Sequence, residues 1–175
     1  MMFKSMLIAN RGEIARRIIK SARRLGIKTY AVYSEVDKHS MHTKEADVAV
    51  CIGPAESKKS YLNIKKVIEV AKENKIEAIH PGYGFLSENY LFAKKVEASG
   101  ITFVGPSWKS IKAMGNKNNA KEIVSSANIP LVSGFLVDKE KQVENKKKAK
   151  EIGFPVIAKA AAGGGGKGMR VVYNE

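Results

Sequence analysis

The sequence predicts an α/β protein: an open, parallel-sheet domain over residues 1–115, followed by the beginning of a second domain over residues 116–175. Three observations predict it. Short β-rich apolar runs alternate with amphipathic stretches of about ten residues, the pattern of right-handed βαβ crossovers. Asparagine and glycine fall at the joints between them, as at Asn10 and Gly26. After Gly105-Pro106 the texture changes to short helical segments and a glycine-rich loop.

The elements follow in order. Residues 5–9 (SMLIA) are apolar in all but the first position and read as a buried strand. Over 12–25, Ile14, Ile18, Ala22 and Leu25 fall on one helical face. Asn10 stands as N-cap with Glu13 three residues later, a capping-box arrangement, and Gly26 stops the helix. Residues 28–33 (KTYAVY) alternate as a strand does. The pattern continues with a strand over 47–52, a helix over 64–74, a strand over 77–80, a helix over 91–99 and a strand over 101–104. Beyond Pro106, residues 107–115 and 117–128 read as short helices and 139–152 as a helix ended by Gly153. Strands over 154–160 and 169–173 flank the glycine loop.

Composition narrows the function. A formal net charge of +14 raises nucleic acid as a partner. The lysines, however, are scattered among acids, and the densest run, KEKQVENKKKAKE, has the composition of a solvated helix face. Neither aromatic–basic interleaving nor zinc-finger spacing is present, so nucleic acid is not the expected partner. No run approaches the ~18 apolar residues of a membrane span, and the N-terminus lacks a signal-peptide layout. The single cysteine, Cys51 in VAVCI, excludes a disulfide framework and reads as a small buried hydrophobe in a protein of the reducing cytoplasm.

The run PVIAKAAAGGGGKGMRVVYNE carries the chemistry. Gly163, Gly165 and Gly168 satisfy G-x-G-x-x-G, but a dinucleotide fingerprint needs a helix next, and MRVVY is strand-like. The P-loop pattern fails as well, because Gly168 follows Lys167 where Ser or Thr is required. Strand, glycine loop and strand make a hairpin whose tip amides can turn toward an anion and close over a nucleotide. Lys159, in the apolar strand PVIAKA, is expected to be buried against a fixed anion such as a phosphate.

The segments IANRGEIA, SYLN, HPGYGFLSEN, FVGPS, AMGNK and PVIAKAAAGGGGKGMRVV occur in this order. Together they resemble the biotin carboxylase component of biotin-dependent carboxylases, of the ATP-grasp superfamily, over essentially the whole chain. HPGYGFLSEN is the most specific, and GGGGKGMR is most similar to acyl-CoA carboxylase α subunits, particularly of propionyl-CoA carboxylase. The resemblance implies a Rossmann-like N-terminal domain followed by the start of an ATP-grasp domain. It also implies a two-step reaction: ATP phosphorylates bicarbonate to carboxyphosphate, and the carboxyl group passes to biotin on a carrier protein.

By the same resemblance, Lys117 and Lys159 contact ATP, Gly165 and Gly166 are lid glycines over its phosphates, and Met169 is an apolar nucleotide contact. Tyr83 and Gly84 border the biotin pocket, and Glu88 lies near the reaction centre. The residues alone leave other roles open: Lys117 as a helix start, Tyr83 and Phe85 as aromatics capping the sheet. His80, before Pro81, is expected to be structural. Arg11 is expected in a helix-flanking salt bridge, and Glu45 and Asp47 as solvated surface acids.

Two positions depart from the family: Asn116 replaces an aspartate before Lys117, and Ala161 a small hydroxyl residue at the loop base. The family's magnesium carboxylates, adenine-binding strand, and bicarbonate and biotin arginines have no counterpart in the 175 residues. The 175 residues are therefore expected to be catalytically incompetent alone, an excised piece or the product of a split or truncated gene. A carboxyltransferase subunit or domain and a homodimer in the intact protein are the implied partners. Two rival readings are a basic nucleic-acid-binding module and a free-standing dinucleotide-binding oxidoreductase domain.

Overall fold

In the computed structural model, which describes residues 3–115, 117–127, 129–159 and 168–175, strand β1 (Ser5–Ile8) lies at the centre of a parallel sheet. From it the chain winds outward through helix α1 (Gly12–Arg24), β2 (Lys28–Ser34), the short helix α2 (Met41–Glu45) and β3 (Val48–Gly53). It then crosses back through α3 (Ile64–Glu73), β4 (Ala78–His80), α4 (Tyr90–Ala98) and β5 (Thr102–Phe103). The five-stranded order is β3-β2-β1-β4-β5, every pair parallel. Register is continuous through the centre: Ile8 pairs with Ala31 on one side and His80 on the other.

Alternation along β1 divides the core into two layers. Leu7 packs with Val32, Ile52, Val67, Ile79 and Phe92 on one face of the sheet. Met6 and Ile8 pack with Ala15, Ile19 and Ala31 on the other. The α1 stripe is rotated from the predicted one: Ala15, Ile18, Ile19 and Ala22 are buried, while Leu25, at the C-cap, is 60% exposed. Helices α3 and α4 start at asparagines, whose side chains accept the amides of Lys66 and Phe92 at 3.1 and 3.0 Å.

Two expectations need correction in this region. Cys51 is exposed, because β3 is the edge strand and only one face of that position is covered. The acids at the end of α2 are engaged rather than merely solvated. Glu45 accepts a fork of hydrogen bonds from Arg16, at 2.9 and 2.6 Å to one oxygen, and Asp47 accepts both the amide and hydroxyl of Thr29 at 2.7 and 2.6 Å.

The chain divides into two units, Met1–Lys112 and Ala113–Glu175. Helix α5 (Trp108–Gly115) spans the division, and the second unit contains α6 (Lys117–Ser126), α7 (Gln142–Ile152), β6 (Val156–Lys159) and β7 (Met169–Val172). Strands β6 and β7 form the expected antiparallel hairpin, from Val156↔Val172 to Lys159↔Met169. Among the described residues, every buried hydrophobic side chain lies between Met6 and Phe103, and none of the second unit is buried.

Candidate functional site

The chain leaves β1 in one direction and β4 in the other, and this reversal opens a crevice beyond their carboxyl ends. A cavity of about 400 Å³ lies there, lined by Asn10, Arg11, Gly12 and Ile14 after β1 and by Tyr83, Gly84 and Phe85 after β4. A second cavity, of about 540 Å³, opens on the opposite ends of the strands beside Lys72 and Lys75. It sits where α3 and α4 end, and nothing in it suggests chemistry.

The crevice walls are tied together. The Ala9 amide donates to the His80 carbonyl at 2.9 Å. Asn10 does not cap α1 as the sequence suggested: Arg11 occupies the N-cap, without a side-chain cap bond. Gly12, at φ +64°, turns the chain sharply into the helix, which leaves the Asn10 side chain facing the loop after β4. Its Nδ2 donates to the carbonyls of Pro81 and Tyr83, both at 2.8 Å, and its Oδ1 accepts the Arg11 amide at 2.9 Å. Glu13, the other half of the expected capping box, instead accepts a hydrogen bond from the Tyr83 hydroxyl. That bond, more than desolvation, raises the phenol pKa.

His80 is structural, as expected. Its Nδ1 accepts the Gly82 amide at 3.0 Å, and burial lowers its pKa, so the ring is held neutral. Gly82, Gly84 and Phe85 all have positive φ, of 66°, 65° and 40°. Nothing lies within 4 Å of where a Gly84 Cβ would be, so its backbone is open to a close approach. Tyr83 is 59% exposed and borders the cavity beside Gly84. Glu88 is exposed and outside the cavity lining.

Sequence reasoning missed a cluster behind this wall. Arg11 pairs with Asp37 at 3.1 Å, the helix-flanking salt bridge expected of it. The same carboxylate oxygen accepts the hydroxyls of Tyr61 and Ser34 at 2.7 and 2.8 Å. Partial burial pushes the Asp37 carboxyl up, but the bonds from Tyr61, Ser34 and Arg11 together outweigh it and hold it below the ordinary range. Burial, then the bond to Asp37, pushes the Tyr61 phenol up. SYLN was the only signal of Tyr61; Asp37, an isolated acid in a turn, left none.

In the second unit, Lys159 and Met169 are register partners across the hairpin, and both are exposed. The premise that Lys159 is buried is thus corrected: the sheet has two strands, and neither covers the lysine. Gly165, Gly166, Asn116 and Ala161 lie outside the described residues, and Lys117 opens α6 with its side chain outside them. Among the described residues no group of three or more His, Cys, Asp or Glu is arranged to hold a metal ion. No described helix is long and apolar enough to cross a membrane.

Comparison with known proteins extends these observations. Residues 2–111 match the family model for the biotin carboxylase N-terminal domain, and residues 116–175 that for the ATP-binding domain of the carbamoyl-phosphate synthase L chain. Biotin carboxylase 1 of Bacillus subtilis is 54% identical over 174 residues, covering 99% of this chain and 39% of that protein. The mitochondrial propionyl-CoA carboxylase α chain of Mus musculus is 49% identical over 173 residues, covering 99% of this chain and 24% of that one. Among solved structures, the Hydrogenobacter thermophilus 2-oxoglutarate carboxylase biotin carboxylase domain dimer, with MgADP, ADP and bicarbonate, superposes with a TM-score of 0.90 at 48% identity. The match covers 99% of this chain and 38% of that one. The chain thus spans between about a quarter and two-fifths of these relatives.

Proposed function

The chain belongs to the biotin carboxylase family, and on that premise we propose that it is the N-terminal part of an ATP-dependent ligase that carboxylates carrier-bound biotin with bicarbonate. The observation that carries this reading is the crevice between β1 and β4, where Tyr83 presents an exposed ring beside the open backbone of Gly84. A flat ureido ring fits such a place: glycine permits close approach, and neighbouring peptide groups offer hydrogen bonds. Glu88, four residues beyond Gly84, is the nearest exposed carboxylate along the same loop and is assigned to the margin of the reaction centre.

The second unit supplies nucleotide contacts in this reading. When bound, ATP supplies the phosphoryl group that activates bicarbonate. The exposed ammonium of Lys159 is free to neutralise phosphoryl oxygens, and Met169 opposite it offers an apolar surface to the base. Lys117, Gly165 and Gly166 are assigned to the same nucleotide. Magnesium is the proposed companion of ATP in this reading, as in the MgADP-bound Hydrogenobacter domain, and no residue of the described set is assigned to it.

Carrier-bound biotin, a carboxyltransferase and a second copy of the enzyme are the proposed partners; the dimer draws support from the Hydrogenobacter domain. Propionyl-CoA is the acceptor we favour, on the GGGGKGMR form of the loop and the likeness to the mouse α chain. The Hydrogenobacter domain, from a 2-oxoglutarate carboxylase, is about as similar, so these residues bear on biotin carboxylation while the carboxyltransferase chooses the acceptor. A cytoplasmic setting is proposed with it. The comparisons lend no support to the oxidoreductase or nucleic-acid readings.

A replacement experiment tests the function. The 175 residues are substituted for their counterpart in the Bacillus relative, and ADP release from MgATP is followed with and without bicarbonate and biotin. The expected result is bicarbonate-dependent release stimulated by biotin, absent from the 175 residues alone. A folded chimera without such release overturns the proposal. Partnering an active chimera with carboxyltransferases for propionyl-CoA, acetyl-CoA, methylcrotonyl-CoA and pyruvate tests the acceptor.

A further inference from the structure

Asp37 lies in the turn after β2, outside the crevice lining, yet two of the donors bonded to its Oδ2 lead back to that lining. Arg11, bonded to it at 3.1 Å, lines the crevice directly. Tyr61, bonded at 2.7 Å, is 1% exposed and accepts the Ser34 amide at 3.0 Å, so its own proton is committed to Asp37. The Tyr61 ring stacks on Phe85, with centroids 5.0 Å apart and planes 13° from parallel. The Arg11 guanidinium lies 5.3 Å from the Tyr61 centroid and 5.6 Å from that of Phe85. One carboxylate thus fixes both groups that grip the Phe85 ring.

Phe85 needs such a grip. Its φ of 40° is in the left-handed region, where a side chain crowds its own backbone. Freed from the grip, Phe85 relaxes toward negative φ and carries the Gly84–Phe85 peptide with it. We propose that Asp37 is a positioning residue for the crevice: through Arg11 and Tyr61 it clamps Phe85 and thereby sets the Tyr83–Gly84 backbone that receives the ligand. The ligand's identity rests on the biotin reading above; the clamp does not.

Amide hydrogen exchange on the full 175-residue chain, read residue by residue by NMR, tests the clamp in Tyr61→Phe and Asp37→Asn. The reporters are Ser87, whose amide donates to the Gly84 carbonyl at 2.9 Å, and Gly82, whose amide donates to His80 at 3.0 Å. Both are expected to exchange about tenfold faster, the effect of losing one hydrogen bond to a charged group. Leu7 and Ile79 in the paired strands are expected to keep their rates. Equal acceleration of Leu7 and Ile79 overturns the proposal, because Asp37 then only stabilises the domain; unchanged Ser87 and Gly82 rates overturn it too. Tyr61→Phe keeps the stacked ring, so it decides the matter alone if Asp37→Asn does not fold. Free biotin at millimolar concentration is then titrated while the Tyr83 and Gly84 amide shifts are followed. Weaker binding by a similar factor in the variants supports the clamp, and equal binding overturns it. If the unaltered chain shows no shift, the exchange result alone decides the clamp, and the biotin reading is tested separately in the chimera.

Discussion

Asn10 and Gly82 are fitted to each other: a Cβ placed on Gly82 would lie 2.7 Å from Asn10 Nδ2. That same nitrogen joins the two walls of the crevice by its bonds to Pro81 and Tyr83. Gly82→Ala combines this clash with a φ of 66° and is expected to cost about 2 kcal/mol or more. Asn10→Ala strips the donor from two carbonyls and is expected to cost about 2–3 kcal/mol. Urea midpoints check both, with Gly84→Ala, whose Cβ meets nothing, as the milder comparison.

Acid is expected to destabilise the first unit in two stages. His42 is 1% exposed, its Nε2 lies 3.3 Å from the Val32 carbonyl, and its Nδ1 is buried without a hydrogen-bond partner. Burial lowers its pKa, and the same is true of His80. An unfolded histidine takes up its proton near pH 6.5 and the folded ones only below that. Their contribution is therefore complete above pH 6.5 and is lost as the pH falls through the folded values. His42→Gln, which keeps a donor near Nε2, and His80→Asn, which keeps an acceptor near Nδ1, are expected to flatten this stage.

The second stage belongs to Asp47 and Asp37. Hydrogen bonds from Thr29 lower the Asp47 pKa, and the Tyr61, Ser34 and Arg11 bonds prevail over burial at Asp37. Their contribution is present above pH 3.8 and is lost as the pH falls through the folded values. Thermal unfolding followed across pH 1.5 to 7 should show both stages; a flat profile above pH 4 contradicts the histidine assignment.

Cys51 is expected to react with iodoacetamide in the folded protein at a rate close to that of a free thiol, since it is exposed on an edge strand. Intact-mass measurement under native conditions checks this. Protection until denaturant is added would return the residue to the core.

Within an active chimera, Lys159→Gln is expected to lower ADP release by on the order of 100-fold if its ammonium neutralises phosphoryl oxygens as proposed. Met169→Ala is expected to raise the KM for ATP with a smaller change in kcat. Steady-state kinetics separates the two.

The sheet is legible because short β-rich runs, apolar at residues 6–9 and alternating at 28–33, are separated by amphipathic helical stretches. The α1 stripe was misplaced by one position because Ile14 and Ile18 fit the same period as Ala15, Ile18 and Ile19. Burial at Cys51 and Lys159 was misjudged for one reason: apolar neighbours predict a strand but not whether other elements cover it. Asn10 was assigned to the nearer helix because capping is a local rule, whereas its partners lie 71 and 73 residues away. The Asp37 cluster has the same character, joining positions with no common local pattern. Tyr83 and Gly84 are singled out in the sequence by HPGYGFLSEN alone, and in the fold both line the crevice.

The order of the strands also sets a timetable for synthesis. Strands β1, β2 and β3 can assemble as they leave the ribosome, but one wall of the crevice arrives only with β4, after residue 80. A nascent chain shorter than that has an exposed β1 edge and no crevice. Docking of β4 closes that edge and creates the pocket in one event, so a chain released before that point has neither a finished sheet nor a crevice.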